Sequence, residues 1–334
     1  MLTRDAPLLL NPMPTWHKYS WMGEFLRQIP HYRANTVETV RLAIAAREHL
    51  FSIAEREGID FDLERRGILH IYKTRKEFDA ASKVNEMLRE GGLDRNPVTS
   101  GELHAIEPAL HGDFFGGFFT PSDSTGDIHK FTRGLAQACV RHGVEFHYDV
   151  EITAIEQPTE GRFSLSVNLA GEPQQFAFER IVVCAGVKSR EFAAMLGDHV
   201  NVYPLRGIRS PYVSTMKSAS SAPWVSLLDD SAKIVTSRLG VDRFRVAGTA
   251  EINGFNRNIR ADRIAPLVDW TRRYFPAVST SKVIPWAGLR PMLPSMLPKV
   301  GRGKRCGVFY NTGHGHLGWT LSAATAQVIA GALQ

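Results

Sequence analysis

The feature that most constrains the fold of this chain is a strand, a glycine-rich loop and a helix start that follow one another near its C-terminus. The strand reads Val-Phe-Tyr-Asn-Thr over residues 308–312, and the loop reads Gly-His-Gly-His-Leu-Gly-Trp-Thr over residues 313–320. Glycine permits positive φ angles and close approach of a ligand to the backbone. The first N–H groups of a helix have no partner within it and attract electron-rich ligands. The sequence therefore predicts a ligand-binding turn over residues 313–320.

The beginning of the chain differs from what usually accompanies such a turn. A protein that holds a dinucleotide is expected to open with a strand, a Gly-x-Gly-x-x-Gly loop and a helix. This chain instead opens with Met-Leu-Thr-Arg-Asp-Ala-Pro, and we expect no such unit anywhere else in it. We therefore expect a nucleotide-binding fold without its usual N-terminal unit.

The composition indicates a globular protein of one large domain or two ordinary domains. Of the 334 residues, 43% are apolar and 22% are charged, which suits a chain that buries a sizeable core. The net charge of +6 is modest, and no basic run is interleaved with aromatic residues. We therefore expect no nucleic-acid partner.

The N-terminal region combines basic side chains with large apolar ones. This pattern is compatible with contact to a membrane surface, but it is more typical of a partly buried helix. Both interpretations stay open. The residues that carry the pattern are Arg4, Lys18, Arg27, Arg33, Trp16, Trp21, Met22 and Phe25.

The cysteine spacing and the apolar runs bear on location and metal binding. Cys139, Cys184 and Cys306 are too far apart for a metal or redox motif, so a reducing compartment is the default. No apolar run reaches about 18 residues, and the start has no signal-peptide pattern. We expect a cytoplasmic protein, with peripheral contact to the inner membrane as an alternative. His314 and His316 are spaced like a pair of metal ligands, but no third ligand follows at a suitable spacing, so we expect no metal.

Hydrophobic periodicity predicts the secondary structure. Residues 35–38 and 74–77 resemble the N-terminal caps of two helices, and Asp127 opens a third. Alternating apolar residues predict half-buried strands over residues 144–149 and 163–169. Further helices and strands are expected near residues 67–73, 114–119, 176–178, 234–236, 244–247 and 263–275.

Two kinds of strand interleave along the chain. Residues 181–185 are apolar at every position, which is typical of a parallel strand covered on both faces, and residues 307–311 are similar. Elsewhere the strands alternate, as in antiparallel sheets. We predict a mixed α/β and α+β fold, in which an antiparallel-sheet substrate domain is inserted into a discontinuous nucleotide-binding domain.

Six segments of the chain together resemble the flavin-dependent amine and amino-acid oxidoreductases of the D-amino-acid oxidase superfamily. All six occur in the order and at the approximate spacing of the superfamily, and the resemblance spans essentially the whole chain. Within the superfamily, the chain is most similar to the catalytic small subunit of bacterial D-amino-acid dehydrogenases. The segments are Ser124–Asp127, Ile181–Gly186, Tyr203–Gly207, Ala250–Phe255, Trp286–Pro291 and Asn311–Thr320.

The resemblance implies an FAD cofactor and a division of the chain around it. Residues 1–120 and 201–285 would form the substrate domain. Residues 121–200 and 286–334 would form an incomplete, Rossmann-like FAD-binding domain that lacks the Gly-x-Gly-x-x-Gly unit.

The resemblance also places individual residues against the cofactor. It puts the loop over residues 313–320 beside the flavin ring, where the helix start would favour the negative charge of a reduced flavin. It matches Val150 to a residue that reads the adenine, and Ala185 and Gly186 to the wall of the pyrophosphate region. The implied cofactor residues are Val150, Ala185, Gly186, Gly313, Gly315, Leu317, Gly318, Trp319 and Thr320.

Arg290 is the main catalytic candidate. By resemblance it binds the substrate carboxylate, and a guanidinium can do so through two parallel hydrogen bonds that orient the Cα hydrogen. A surface or interdomain ion pair is the alternative role for Arg290. His314 is the second candidate. No general base is expected, because an amine substrate can deliver hydride from Cα directly to the flavin.

The implied reaction is oxidation of a D-amino acid to an imino acid, which hydrolyses to a 2-oxo acid and ammonia. The electrons would leave for a quinone or another acceptor. One alternative is oxidation of glycine, sarcosine or hydroxyproline by a related enzyme. The other is a non-catalytic fragment that pairs with a chain supplying the missing unit.

Three departures from the family pattern affect these expectations. The N-terminal unit is absent, the expected Pro-Asp-Gly turn reads Pro294-Ser295-Met296, and Ala324 and Ala326 replace glycines in the last helix. We therefore expect weak or absent FAD binding by this chain alone, with correspondingly weak or absent activity, and an open sheet edge prone to aggregation.

Overall fold

A computed structural model of the protein describes residues 8–212 and 221–334. The helices are α1 (Trp16–Gln28), α2 (Tyr32–Glu57), α3 (Arg75–Glu90), α4 (Ser100–Ile106), α5 (Ile128–Arg141), α6 (Ser189–Met195), α7 (Ala261–Tyr274) and α8 (Gly318–Leu333). The strands are β1 (Leu8–Leu10), β2 (Ile68–Tyr72), β3 (Asn96–Thr99), β4 (Gly116–Thr120), β5 (Val150–Thr159), β6 (Arg162–Leu169), β7 (Glu172–Phe178), β8 (Ile181–Val183), β9 (Tyr203–Tyr212), β10 (Ser226–Asp229), β11 (Ile234–Leu239), β12 (Arg243–Ile252), β13 (Trp286–Met292), β14 (Lys299–Arg302) and β15 (Val308–Thr312).

The chain folds into two compact units, each built from three segments. Unit 1 consists of Met1–Met13, Gly58–Gly134 and Leu205–Leu289. Unit 2 consists of Pro14–Glu57, Leu135–Pro204 and Arg290–Gln334.

The predicted domain division differs from these units mainly at residues 14–57. We expected this segment in the substrate domain, whereas the structure groups it with unit 2, where α2 packs along α8. Helix pairing over such a sequence distance leaves no local pattern in either helix. The assignment of the units to substrate and cofactor stays a prediction.

Unit 1 is built on one large, mostly antiparallel sheet. Its strands lie in the order β13-β9-β12-β11-β10-β2-β4-β3, and β1 pairs with β12 in parallel. One face buries a core that includes Leu69, Leu227, Phe244, Trp270 and Phe275. Alternation along the strands thus gives the sheet one apolar face, as the sequence predicts.

Unit 2 contains two smaller sheets. Strands β5, β6 and β7 form an antiparallel meander, and β14, β15 and β8 form a sheet in which β15 and β8 are parallel. A shared core includes Phe163, Val183, Leu196, Val308 and Tyr310. Because β15 and β8 are parallel, their carboxyl ends lie side by side at one edge of this sheet.

Several local predictions are confirmed. Thr74 and Glu77 form a reciprocal capping box at the start of α3. The Asp127 carboxylate accepts hydrogen bonds from the backbone N–H groups of His129 and Lys130, at 2.8 and 3.2 Å, and so caps α5. These interactions lie within three residues of each other, which is why the sequence reveals them.

The cap predicted at residues 35–38 is wrong. Helix α2 already begins at Tyr32, so these residues lie inside it. The hydroxyl of Thr36 donates to the carbonyl oxygen of Tyr32 at 2.8 Å instead of capping a helix end. A capping motif within a helix is satisfied by this alternative bond, because a threonine hydroxyl reaches the preceding turn equally well.

The half-buried strand predicted over residues 144–149 is also wrong. This segment forms no strand, and Val144 and Tyr148 are 48% and 71% exposed. A strand requires a neighbour for its backbone hydrogen bonds. Alternation of apolar residues predicts which face is buried, but it does not supply that neighbour.

The strand predicted over residues 181–185 is parallel, as expected, but it is not covered on both faces. Only Val183 is fully buried, and Cys184 is exposed. Strand β8 has one neighbour, β15, in its sheet. The apolar run therefore predicted the strand correctly, but the prediction that both faces of the strand are covered is wrong.

A buried group of three charges crosses the sheet of unit 1. Glu251 receives hydrogen bonds from the guanidinium of Arg206, and Arg263 Nε lies 3.2 Å from its carboxylate. All three residues are at most 3% exposed. The Cα positions of Arg206 and Glu251 are directly paired between β9 and β12. Two of the six segments that carry the family resemblance therefore meet at a buried ion pair.

We predict that Glu251→Gln destabilises the protein by about 3–5 kcal/mol, because it leaves two buried guanidinium groups without their counter-charge. Urea unfolding measures the change. The exposed pair Arg75–Asp79, separated by 3.7 Å, provides the control, since Asp79→Asn removes a solvated ion pair and should cost less than about 0.5 kcal/mol. Equal losses in the two variants would contradict a role for burial.

Candidate functional site

The carboxyl ends of the two parallel strands of unit 2 lie side by side. Val308 pairs with Ile181 and Tyr310 with Val183, so the turn after β8 and the glycine loop after β15 leave the same edge of the sheet. The buried hydroxyls of Ser189 and Thr312 are 2.6 Å apart and connect the segments that follow. Ligands of α/β proteins bind beyond this end of parallel strands.

The glycine loop uses backbone conformations that favour glycine. Gly313 and Gly315 have φ angles of +78° and +59°. A Cβ at Gly313 would lie 2.3 Å from the Leu293 side chain, and a Cβ at Gly315 would lie 2.8 Å from the sulfur of Met292. Both glycines are therefore required by the local geometry, as the sequence predicts.

Helix α8 begins directly after this loop without a side-chain cap. Leu317 precedes the helix and makes no capping bond, and no acidic residue lies in the first turn. The first helical hydrogen bond runs from Leu321 N–H to the carbonyl oxygen of Leu317 at 2.9 Å. The N–H groups of Gly318 and Thr320 precede that bond, so the positive end of the helix dipole faces the loop.

Residues 313–318 themselves have Gly-x-Gly-x-x-Gly spacing, between a strand and a helix. The expectation that the chain contains no strand, Gly-x-Gly-x-x-Gly loop and helix in succession is therefore wrong. The spacing was visible in the sequence.

Arg290 lies on the strand that pairs with the glycine loop. Met292 forms an antiparallel bridge with His314, and Gly315 N–H donates to the carbonyl oxygen of Pro291 at 2.9 Å. Arg290 is half-buried. The structure therefore brings the predicted carboxylate-binding residue next to the predicted flavin loop.

His314 is held by helix α8. The hydroxyl of Thr325 donates to the carbonyl oxygen of Ser322 at 3.1 Å, so it accepts from His314 Nε2–H at 2.9 Å. Burial lowers the pKa of His314 below the ordinary histidine value. The imidazole is thus neutral near pH 7 and its Nε2 is committed to α8. A catalytic role for His314 stays a prediction, and no sequence signal identified its partner Thr325.

His316 differs from His314 in its surroundings. The side chain of His316 is exposed at the surface. Partial burial of its ring and the positive charge of Arg290 both lower the pKa of His316. Among the residues that the structure describes, the His316 ring has no hydrogen-bond partner. The two histidines of the loop therefore have different roles available to them.

The remaining predicted cofactor residues lie in two places. Ala185 and Gly186 form the turn after β8, and Gly186 has a φ of +55° with no atom within 4 Å of an added Cβ. Val150 starts β5 and pairs with Leu169 in the meander, a different sheet from that of the glycine loop. The binding roles of all three residues stay predictions.

The turn after Pro291 contains a residue with a left-handed backbone conformation that is not glycine. Met296 has a φ of +63°, and its N–H donates to the carbonyl oxygen of Leu293 at 3.0 Å. Met296 therefore occupies a left-handed position that glycine favours.

The edge of this sheet fits a ligand that carries both a hydrogen-bond donor, for a buried amide oxygen, and electron-rich groups, for the start of α8. The Oδ1 atom of Asn311, two residues before Gly313, is buried without a hydrogen-bond partner. The open space at Gly186 and the uncapped start of α8 lie beyond the ends of β8 and β15. Over residues 8–212 and 221–334, no group of three or more histidine, cysteine or acidic residues is arranged to hold a metal ion.

Residues 13–332 match the DAO family of FAD-dependent oxidoreductases. The chain belongs to this family. It is 62% identical over 331 residues to D-amino acid dehydrogenase 3 of Mesorhizobium japonicum, an alignment that covers 99% of this chain and 80% of that protein. It is 37% identical to the D-amino acid dehydrogenase of Dechloromonas aromatica, over 98% of this chain and 79% of that one.

Solved structures of the family share the fold. Glycine oxidase from Geobacillus kaustophilus superposes with a TM-score of 0.79 at 23% identity, over 87% of this chain and 78% of that chain. L-proline dehydrogenase from P. horikoshii superposes with a TM-score of 0.76 at 14% identity, over 88% of this chain and 78% of that one. The predicted mixed fold, the resemblance and the prediction of an FAD-dependent oxidoreductase are confirmed.

The structure buries some of the basic and apolar residues of the N-terminal region and exposes others. Lys18 and Trp21 are buried, whereas Trp16 and Tyr19 are exposed. Arg4 lies outside the described residues. Within those residues, no helix is long and apolar enough to cross a bilayer.

We predict that Gly313→Ala destabilises the protein by about 2–4 kcal/mol, because it adds a clash with Leu293 to the cost of a left-handed alanine. Gly186→Ala is the matched control, since its φ is also positive but its surroundings are open; it should cost about 1 kcal/mol or less. Urea unfolding compares the two variants. A smaller loss for Gly313→Ala than for Gly186→Ala would show that Leu293 does not limit the loop.

Proposed function

We propose that this chain oxidises D-amino acids with FAD, giving imino acids that hydrolyse to 2-oxo acids and ammonia. The names of the two D-amino acid dehydrogenases compared above support the substrate class. The observation that carries the proposal is the pairing of the Arg290 strand with the glycine loop, through Met292, His314 and the bond from Gly315 N–H to Pro291 O. This pairing puts a carboxylate-binding group beside a loop suited to a flavin.

Unit 2 would hold the cofactor. The N–H groups of Gly318 and Thr320 would face the electron-rich edge of the flavin ring, and Gly313 and Gly315 would let the backbone approach it closely. Ala185, Gly186, Leu317, Trp319 and Val150 complete the proposed set. When bound, FAD would accept the hydride that leaves the substrate Cα, and with it both electrons of the oxidation.

Arg290 would orient the substrate. Its fork would take one hydrogen bond on each carboxylate oxygen, and so limit rotation of the amino acid about its carboxylate. Because the chemistry of hydride loss needs no charged base, the contribution of the protein would consist mainly of this orientation and of the positive helix end. His314 would keep the loop in position through Thr325.

The electrons would pass to a quinone or another acceptor, and we propose that α1 brings the protein to a membrane surface. Five large apolar residues between positions 16 and 32, in α1 and just after it, are each more than half exposed. They are Trp16, Tyr19, Leu26, Ile29 and Tyr32. Trp16, Tyr19 and Leu26 lie at helical spacing on one face of α1, and exposed Trp and Tyr are typical of interfacial helices.

The charge around this face favours an anionic lipid surface. Arg27, His31 and Arg33 are exposed within or just after α1. The acidic residue in α1, Glu24, is half-buried and accepts hydrogen bonds from His199 and Asn201 at 3.1 and 2.7 Å. Basic side chains beside an apolar face attract anionic headgroups, so charge and hydrophobicity act together.

We predict that the purified chain, supplied with excess FAD, binds flavin and reduces an artificial dye with D-amino acids. Arg290→Lys should raise KM at least tenfold, because an ammonium cannot replace a two-bond fork. The measurements are the flavin spectrum after desalting and steady-state kinetics over a panel of D- and L-amino acids, glycine, sarcosine and hydroxyproline.

Two outcomes would contradict this proposal. One is flavin binding with preferred oxidation of glycine or sarcosine. The other is no flavin binding and no activity at any FAD concentration. Arg257→Lys changes an exposed arginine of unit 1 and is the control for the charge-conserving substitution.

We predict that replacing Trp16, Tyr19 and Leu26 together by serine lowers binding to anionic vesicles about tenfold or more, because each loses the free energy of apolar burial in the interface. The measurement is co-sedimentation with phosphatidylcholine vesicles that contain or lack phosphatidylglycerol. The control replaces three exposed valines by serine, Val140, Val241 and Val328. Equal binding of the two triple variants would remove α1 as the docking face.

A further inference from the structure

The glycine loop carries a second side chain beside Arg290 that the proposed function does not use. Gly315 N–H donates to the carbonyl oxygen of Pro291 at 2.9 Å. Arg290 immediately precedes Pro291, and His316 immediately follows Gly315. Each of the two side chains is thus one residue away from the same backbone hydrogen bond, within reach of a common ligand.

The surroundings of His316 leave its ring available. His314 uses its Nε2 in the bond to Thr325, whereas His316 is exposed and, among the described residues, its ring makes no hydrogen bond. The positive charge of Arg290 acts on this ring and lowers its pKa, which is consistent with their proximity. The imidazole is therefore neutral near pH 7 and retains one N–H donor.

A carboxylate has room for both residues. Its two oxygens offer about four acceptor positions, and the Arg290 fork would occupy one on each oxygen. The remaining positions accept a further N–H without competing with the guanidinium. A neutral imidazole can donate a hydrogen bond to one of these positions without being repelled by Arg290. A lysine or a second arginine at this place would be repelled.

We propose that His316 donates a second hydrogen bond to the substrate carboxylate and thereby acts with Arg290 as a specificity-determining residue for α-amino monocarboxylates. The inference rests on the proposed function, in which Arg290 binds that carboxylate. It assigns His316 to binding and gives it no part in proton transfer.

The experiment compares His316→Leu with His316→Gln, which keeps an N–H donor. His316→Leu should raise KM for the best D-amino acid about tenfold and leave kcat within twofold, because an interaction equally strong in the ground and transition states is lost. His316→Gln should restore KM to within about threefold of the parent. His142→Leu, at an exposed histidine that pairs with Glu57, is the control.

A binding measurement separates this inference from the proposed function. Propionate, which has a carboxylate but no amino group to oxidise, is titrated into the protein while the ring resonance of His316 is followed by NMR. A saturable shift that is lost in Arg290→Met supports the paired site. If the protein neither binds flavin nor oxidises amino acids but shows this shift, the proposed function fails and the carboxylate pair stands.

Three results would overturn the inference. One is an unchanged KM in His316→Leu. Another is a fall in kcat at constant KM, which would indicate a role in the chemical step. The third is no propionate-dependent shift of the His316 resonance in a protein that is active and binds its substrate.

Discussion

The backbone hydrogen bond from Gly315 N–H to the carbonyl oxygen of Pro291 is the interaction on which the candidate site depends. It connects the strand of Arg290 to the loop that opens helix α8. The bond requires a left-handed residue at position 315 and no Cβ against Met292. Arg290, which we propose orients the substrate, and the positive end of α8 are thereby held together by backbone geometry, which side-chain motion cannot loosen.

The two histidines of the loop have different surroundings although they are two residues apart. Burial against α8 gives His314 a fixed partner and a lowered pKa. His316, two residues later, faces outward beside Arg290, and the neighbouring charge contributes to its lowered pKa. Both rings are therefore neutral near pH 7, so the positive charge of the loop region comes from Arg290 and from the helix dipole. This concentrates the attraction for a carboxylate at one point.

The family segments of unit 1 serve a different purpose. Arg206 and Glu251 lie in two of them, and together with Arg263 they form a buried charge group across neighbouring strands. Such a group contributes little net stability compared with apolar packing, but removal of one member is costly. We infer that these residues fix the pairing of β9 with β12, which gives two of the family segments a structural role within unit 1.

The sequence by itself determined the features that depend on interactions between residues close together along the chain. The cap at Thr74, the cap at Asp127, the glycine conformations at 313 and 315 and the start of α8 all follow from residues within a few positions of each other. The resemblance added the family, because six spaced segments are more specific than any one. Only the tertiary structure decided that β15 lies beside β8, that residues 144–149 have no neighbouring strand and that Thr325 holds His314. It also decided that a backbone hydrogen bond joins Pro291, next to Arg290, to Gly315, next to His316. These pairings join residues that are distant along the chain, and the free energy that selects them comes from burial and hydrogen bonding in the folded molecule, which no local pattern encodes.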